Sequence, residues 1–238
     1  MNNKIITIDG PSASGKGTIA KQIANILGFN YLDSGALYRI TAYILTQINN
    51  NINYHYPKNN EDIEKYENEI ITKFTNSKIL FTQINDKDCI LLNNKNITDL
   101  IRTEEIGKIA SILASKINIR KSLLEWQRNC ANENGLVTDG RDMGTVVFPN
   151  AKCKIFLIAD VEKRALRRYQ QLQQSIEQKT ETAVSFSDVL NNLKQRDERD
   201  ISRSTAPLKP ADDALIIDNT NLNIEETVNK VLEYYRSL

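Results

Sequence analysis

Gly10-Pro11-Ser12-Ala13-Ser14-Gly15-Lys16-Gly17-Thr18 is the stretch whose residue types most directly suggest chemistry. Small side chains let a backbone wrap closely around an anion, successive N–H groups can point inward, and a helix beginning here would add its positive end to the field. Lys16 contributes a mobile cation. The chemistry served is the binding of a phosphate chain; the plain alternative is a glycine-rich turn that merely starts a helix. Gly17 follows the lysine and offers no side chain to a metal, so Thr18 is the nearest hydroxyl that could support one.

Two further clusters, Asp33-Ser34-Gly35-Ala36-Leu37-Tyr38-Arg39 and Asp139-Gly140-Arg141-Asp142-Met143-Gly144-Thr145, each follow a short apolar run. A lone Asp or Arg in such a place is more often a cap or a surface charge, but repetition beside a phosphate loop favours ligand binding. A separate group is Arg196, Arg199, Asp200 and Arg203. On a helix these offsets share one face, and three guanidinium groups there repel one another unless an anion lies opposite. The bland reading is a solvated face with Asp197, Glu198 and Asp200 as counterions. Arg164, Arg167 and Arg168 form another basic helical face, read as solvated.

The elements that must position these residues are legible by pattern. Ile5 to Ile8 reads as a strand, followed after the loop by a helix with Ile19, Ile23 and Ile26/Leu27 at helical spacing and Gly28 as its stop. Phe29 to Leu32 reads as a second buried strand, and Leu37, Ile40, Ile44 and Leu45 mark a helix after Asp33. This β-α-β rhythm predicts a parallel sheet, whose ligands bind beyond the carboxyl ends of the strands. Between Ile52 and Asp99 the rhythm breaks. There Ile79-Leu80-Phe81, Cys89 to Leu92 and Ile97, separated by Asn85-Asp86-Lys87-Asp88 and Asn93-Asn94, predict a small antiparallel insertion. Thr103 is expected to cap a helix carrying Ile106, Ile109, Ala110 and Leu113. After a break at Lys116 to Asn118, another helix should run to Asn134-Gly135. Leu136 to Thr138, a doubly buried Lys154 to Ile158 and Ala214 to Ile217 are the remaining strands. Helices are expected within Glu162 to Pro210, and the last helix starts at an Asn223/Glu226 capping box with Ile224, Val228, Val231 and Tyr235 inward.

The 238 residues suit one α/β domain with an insertion, and 31 Lys plus Arg against 30 Asp plus Glu argue against a polybasic nucleic-acid binder or an acidic disordered tail. No apolar run approaches the length of a membrane helix and Met1-Asn2-Asn3-Lys4 shows no signal-peptide pattern, so the expected compartment is the cytoplasm. Cys89, Cys130 and Cys153 form no metal or disulfide framework and read as reduced thiols, and the sole histidine, His55, reads as a loop residue.

Taken in order, ITIDGPSASGKGT, YLDSGALYR, IRTEEI, DGRDMGTVVFP, KIFL, RDERDISRSTAPL and PADDALIIDNT resemble bacterial cytidylate kinases across essentially the whole chain. Gly17 between Lys16 and Thr18 is the loop variant of nucleoside monophosphate kinases. The resemblance implies a three-layer α/β P-loop kinase fold, with a five-stranded parallel sheet, a small antiparallel insertion and a helical lid. It implies one kinase domain over 1–238, with core segments 1–51, 101–160 and 211–238, a monophosphate-side insertion at 52–100 and a lid region at 161–210. It places ATP phosphates on Gly10, Pro11, Ser12, Ala13, Ser14, Gly15, Lys16, Gly17 and Thr18, with Lys16 bridging donor and transferred phosphate. Around CMP it places Ser34, Arg39, Ser111, Arg120, Arg141, Asp142, Arg196, Asp200 and Arg203. Within that set Arg39, Arg141 and Arg203 resemble monophosphate or transfer-site cations, Ser111, Arg120 and Asp142 base readers, and Arg196 with Asp200 a ribose clamp. Arg199 resembles a lid arginine acting on the transferred group. Relatives often carry a proline between Ser111 and Arg120, where this chain has Ile117, which bears on how Arg120 is aimed. The implied activity is ATP-dependent phosphorylation of CMP and dCMP in pyrimidine nucleotide metabolism. The expected partners are those nucleotides and Mg²⁺, with no nucleic-acid polymer, membrane or obligatory protein partner, the chain acting as a monomer. Asp139 is the candidate for holding a Mg²⁺-bound water together with Thr18, with Asp33 a weaker one.

The residue types suit that chemistry. Cytosine offers an amino donor and ring acceptors, so Asp142 can accept while Arg120 donates. A phosphate monoester has a second pKa of about 6, so its oxygen is largely an anionic nucleophile at neutral pH and no general base is obligatory. Two other readings remain open: a kinase for UMP or another small phosphate acceptor on the same scaffold, and a P-loop nucleotide switch. The switch lacks an NKxD-like guanine reader and leaves the strand-end arginines without a task.

Overall fold

In the computed structural model, which describes residues 4–48, 60–85, 87–176 and 185–238, the elements run β1 (Ile5–Asp9), α1 (Lys16–Leu27), β2 (Asn30–Asp33), α2 (Ser34–Ile48), α3 (Asn60–Thr75), β3 (Ile79–Ile84), β4 (Lys87–Leu92) and β5 (Lys95–Asn96). They continue α4 (Thr98–Ile101), α5 (Glu104–Leu113), α6 (Ile117–Asn129), β6 (Leu136–Gly140), a turn of π-helix (Met143–Val147), β7 (Cys153–Ile158), α7 (Val161–Ile176), α8 (Phe186–Ser202), β8 (Leu215–Asp218) and α9 (Ile224–Ser237). The chain divides into two compact units, one of Met1–Asp33 with Gln127–Leu238, the other Ser34–Trp126.

The first unit is built on a five-stranded sheet in the order β2-β6-β1-β7-β8, every pairing parallel. Its inner strands are buried on both faces because their runs lack polar alternation, as the sequence predicts for Lys154 to Ile158, except that Ile158 at the strand's end is exposed. One face of the sheet, including Ile6, Ile8, Val137, Ile155 and Leu157, packs with Ile19, Ile23, Val228 and Val231 of α1 and α9. Pairing of Ile8 with Asp139, Asp9 with Gly140 and Asp33 with Asp139 brings three acidic strand ends level. Gly28 ends α1 in the left-handed conformation, its φ of 66° suiting a residue without a Cβ. Asn223 and Glu226 form both bonds of the expected capping box, at 2.8 Å each.

Three expectations yield here. Phe29 to Leu32 is not a fully buried strand: β2 is a sheet edge in which only Leu32 is buried. Ile26 and Ile224 point outward at 56% and 47% exposure, since Ile19 and Ile23 already complete the inward stripe of α1 and Ile224 lies at the first position of α9. The helix expected to reach Gly135 ends at Asn129.

In the second unit α2 packs against α3, α4 and α5, burying Leu37, Ile40, Ile44 and Leu45 as expected. Helix α3 has no counterpart in the sequence expectations. Its signal is Ile63, Ile70 and Phe74, all buried, spaced by two turns and then one within a segment otherwise rich in Asn, Lys and Glu. The antiparallel insertion is present as β3-β4-β5. Asn93 and Asn94 turn β4 into β5 with φ of 51° and 69°, a left-handed pair that asparagine tolerates better than most residues. Ile97 is buried but precedes α4 rather than joining a strand. Thr103 caps α5, its side chain accepting from the Ile106 amide at 3.3 Å. His55 and Ile52 lie outside the described residues.

Candidate active site

The phosphate loop leaves β1 where Gly10 grazes β7: a Cβ at this position would sit 2.4 Å from the Leu157 carbonyl oxygen. No residue but glycine fits that approach. Gly15, at φ 88°, turns the chain into α1, so the first amides of the helix face the loop's concavity. Lys16 is buried and its Nζ donates to the Pro11 carbonyl at 3.0 Å, within the loop's own backbone. Burial, and then the Arg141 guanidinium, push the Lys16 ammonium down to about 7. An anion bound beside it would restore the charge. Asn219, after β8, donates Nδ2 to the Ser14 carbonyl at 2.8 Å. The buried Ser14 Oγ and Asn219 Oδ1 find no hydrogen-bond partner among the described residues.

Arg141, after β6, is joined to that loop. Its Nη2 donates to Ser12 Oγ at 2.7 Å, and its Nε to Asp200 Oδ2 of α8 at 2.8 Å. Burial acts to raise the Asp200 carboxyl, but Arg141 and then Arg196 outweigh it and hold the group below its ordinary range. Arg203, the C-cap of α8, lies 4.0 Å from Asp200 and donates Nε to the Ala206 carbonyl at 2.6 Å. Thus Lys16, Arg141, Arg196, Asp200 and Arg203 form one electrostatic neighbourhood. Arg199 stands one turn from Arg196 and Arg203 on α8, as its spacing predicts, but at the exposed margin of that face, its Nε donating to the Gln195 carbonyl at 3.2 Å.

Asp142 is buried, and its carbonyl accepts from the Val146 and Val147 amides, opening the π-turn. That turn is pinned from β1: Asp9 accepts from the Met143 and Gly144 amides at 2.9 and 2.8 Å. Burial pushes the Asp9 carboxyl up to about 7 even against those two bonds. Asp139 is also buried; it accepts from Tyr31 Oη at 2.8 Å, and burial with Asp33 beside it raises its carboxyl to about 7. Gly17 lies against this pair, its missing Cβ 3.4 Å from Tyr31 Oη and 3.7 Å from Asp139 Oδ1. Thr18 is exposed at the start of α1.

In the second unit Ser34 is buried at the start of α2. Arg39 Nη1 donates to the carbonyls of Ile101 and Thr103 at 2.7 and 3.0 Å, and the guanidinium lies against Gly107, where a Cβ would come within 2.8 Å of Nη2. Arg120 is buried, donating Nη1 to the Ala114 carbonyl at 3.1 Å with its guanidinium 5.7 Å from the Tyr38 ring centroid. Ile117 is the first residue of α6, a position where proline merely pre-sets a backbone that helix formation also imposes. Ser111 is buried on α5 with no hydrogen-bond partner for its hydroxyl among the described residues. An orphan hydroxyl beneath the surface is costly unless something else supplies the bond.

A sequence profile described as Cytidylate kinase matches residues 6–237. The chain belongs to the cytidylate kinase family. A cytidylate kinase of Pasteurella multocida is 44% identical over 237 residues, spanning 98% of this chain and 96% of that protein. One of Neisseria meningitidis is 43% identical, spanning 99% of this chain and 98% of its own length, and one of Marinomonas sp. is 46% identical over 95% and 93%. The α/β kinase fold expected from the resemblance, with its parallel five-stranded sheet and separate three-stranded antiparallel sheet, is the fold observed.

Five participants are not legible in the sequence alone. Asp9 and Tyr31 act through strand register, which a single sequence does not reveal. Arg164 and Asp197 were read as solvated charges, yet both are buried and paired at 2.6 Å beneath the phosphate loop. Arg167 is likewise engaged, donating Nη2 to the Asn219 carbonyl at 2.8 Å. Among the described residues no helix is long and apolar enough to cross a membrane. Cys89 and Cys153 are buried and Cys130 is half-buried, none of the three in a disulfide.

Proposed function

We propose that this protein transfers the γ-phosphoryl group of ATP to CMP and dCMP, giving ADP with CDP or dCDP. The observation that carries the reading is the bond from Arg141 Nη2 to Ser12 Oγ, which puts the strand-end guanidinium within one hydrogen bond of the donor phosphate loop. A cation at that junction can offset charge on the group in flight between donor and acceptor. Residues 10–18 cradle the ATP phosphates, with Lys16 turning from the Pro11 carbonyl to the phosphate chain. Ser34, Arg39, Ser111, Arg120, Arg141, Asp142, Arg196, Asp200 and Arg203 bind the monophosphate substrate. Ser111 and Arg120 read the base together with Asp142, which accepts from the cytosine amino group. Arg196 and Asp200 hold the ribose, and Arg39, Arg141 and Arg203 meet the phosphate. The nucleophile is already an anion, so the residues need only bind, orient and exclude water.

Mg²⁺ fits the acidic strand ends. Asp139 is a buried carboxylate held up near 7 by burial and by Asp33, a combination a divalent cation would relieve. Asp139, through water, and Thr18 would hold the ion, which when bound neutralises phosphate charge. Residues 52–100 serve as the acceptor-side insertion and 161–210 as a lid region carrying Arg199. We place the enzyme in the cytoplasm, acting as a monomer.

A coupled ADP-release assay with ATP, Mg²⁺ and a panel of ribo- and deoxyribonucleoside monophosphates tests the reading. CMP and dCMP should turn over far faster than UMP or AMP. Strong UMP turnover with little for CMP would overturn the base-reading roles.

A further inference from the structure

All three polar groups of Ser12 are tied to charged side chains. Its hydroxyl accepts from Arg141 at 2.7 Å, its amide donates to Asp197 Oδ1 at 3.3 Å, and its carbonyl accepts from Arg164 Nη1 at 3.0 Å. The same Nη1 donates to Asp197 Oδ2 at 2.6 Å, and Arg164 Nε is fixed on the Ala159 carbonyl at 2.9 Å. Arg164 rises from α7 and Asp197 from α8, and their side chains are only 7% and 13% exposed. The pair therefore grips the peptide groups on both sides of Ser12.

The next residue explains why such a grip matters. Ala13 has φ 58°, the left-handed region that a residue with a Cβ avoids. A left-handed residue in a loop of this kind lets successive amides converge on an anion. The Ser12 carbonyl belongs to the peptide unit that sets the Ala13 φ, so Arg164 holds the chain in its unfavoured state directly. The methyl group of Ala13 also packs on Ala165, Val189 and Leu193, a small apolar cluster shared by α7 and α8.

We propose that Arg164 and Asp197 are positioning residues for phosphoryl transfer: they clamp Ser12 so that Ala13 stays left-handed and the phosphate loop keeps its anion-binding shape before ATP arrives. Neither side chain need touch substrate. The competing account is a buried ion pair that only joins α7 to α8, which would alter stability without altering the loop.

The inference rests on the ATP-dependent reading above, and the wild-type protein separates the two failures. If it neither binds ATP nor phosphorylates CMP, the functional reading falls. If it does both, the clamp is tested by Asp197→Asn, with ATP affinity measured by titration calorimetry and KM for each substrate measured separately. The expected result is a rise of about tenfold in ATP Kd and KM with a smaller change in CMP KM, as misplacement of a binding loop costs. Adding Ala13→Gly to Asp197→Asn should then recover much of the ATP affinity, because glycine enters the left-handed region freely. Ala13→Gly alone is measured as the reference, so that the recovery is read as the coupling between the two changes. ATP affinity unchanged in Asp197→Asn, or a loss that Ala13→Gly does not repair, would overturn the proposal. Should Asp197→Asn not fold, Arg164→Lys carries the same expectation. It keeps a cation for Asp197, but a single ammonium lacks the guanidinium's fixed reach to the Ser12 and Ala159 carbonyls as well.

Discussion

Around the carboxyl ends of the parallel strands, cations are dense and answered by carboxylates: Arg141 pairs with Asp200, Arg164 with Asp197, and Lys16 feels both Arg141 and Asp139. In the unit spanning Ser34–Trp126, main-chain carbonyls take part in seating the guanidinium groups: Arg39 donates to those of Ile101 and Thr103, and Arg120 to that of Ala114 beside the Tyr38 ring. Buried cations gathered close together repel, so each needs an anion to stay put, and main-chain dipoles can add to the seating of a guanidinium. The first arrangement is suited to a reacting phosphate chain and the second to fixing a bound substrate.

Lys16→Ala is the strongest test of the first region. On the proposed reading it should lower kcat by about 10³-fold or more while thermal unfolding shifts little, because the residue would serve a developing charge rather than the core. Retained turnover would remove the loop from the reaction. Arg141→Ala should cost about 10²-fold in kcat/KM and also about 2 kcal/mol in urea-measured stability, since Asp200 loses its nearest partner while Arg196 and Arg203 remain. Equal stability with full activity would show that the pair is incidental.

Arg120→Met probes the second region. It should raise the KM for CMP by about tenfold or more and leave the KM for ATP unchanged. A fall in kcat matching that of Arg141→Ala would erase the contrast between the two regions. A gentler test concerns pH. The folded value of Asp139, near 7, exceeds that of an unfolded aspartate, so the native state holds a proton that the unfolded chain releases between roughly 4 and 7. Its contribution to stability therefore falls as pH rises through that window. Asp139→Asn should flatten the decline when unfolding is compared at acid and neutral pH, and an unchanged slope would count against a buried, uncompensated carboxylate. Smallest of all, Ile117→Pro should stabilise the protein by about 0.5 kcal/mol with kinetics unaltered, by restricting the unfolded chain at a compatible helix start. A loss of CMP affinity would mean that Ile117 does help to aim Arg120.

Much of the parallel core could be read from sequence because its strands are short, largely apolar and punctuated by Asp-Gly steps, as at Asp9-Gly10 and Asp139-Gly140. Capping chemistry was equally direct at Thr103 and Asn223, where one side chain satisfies one amide. Helix α3 was obscured because three buried apolar residues hold sixteen in place, and the polar remainder reads as loop. The edge character of β2 was hidden since strand order depends on crossovers, not on local pattern. Arg164 and Asp197 were misread for a related reason. Thirty-three positions apart, they become partners only once α7 and α8 lie side by side, and an isolated charge on a helix looks solvated until then.

The π-turn at Met143–Val147 has a consequence for how the chain tolerates changes of length. Asp9 holds its first two amides from β1, and Phe148 closes it by donating to the Met143 carbonyl at 2.7 Å. Five residues therefore complete a coil that an ordinary helix would complete with fewer. Deleting any one of them would tighten the coil and rotate everything beyond it by about 100°. Either the amides would leave Asp9, carrying Arg141 and Asp142 with them, or β7 would lose its register against β1. A single codon removed here would thus do more harm than most residue exchanges nearby.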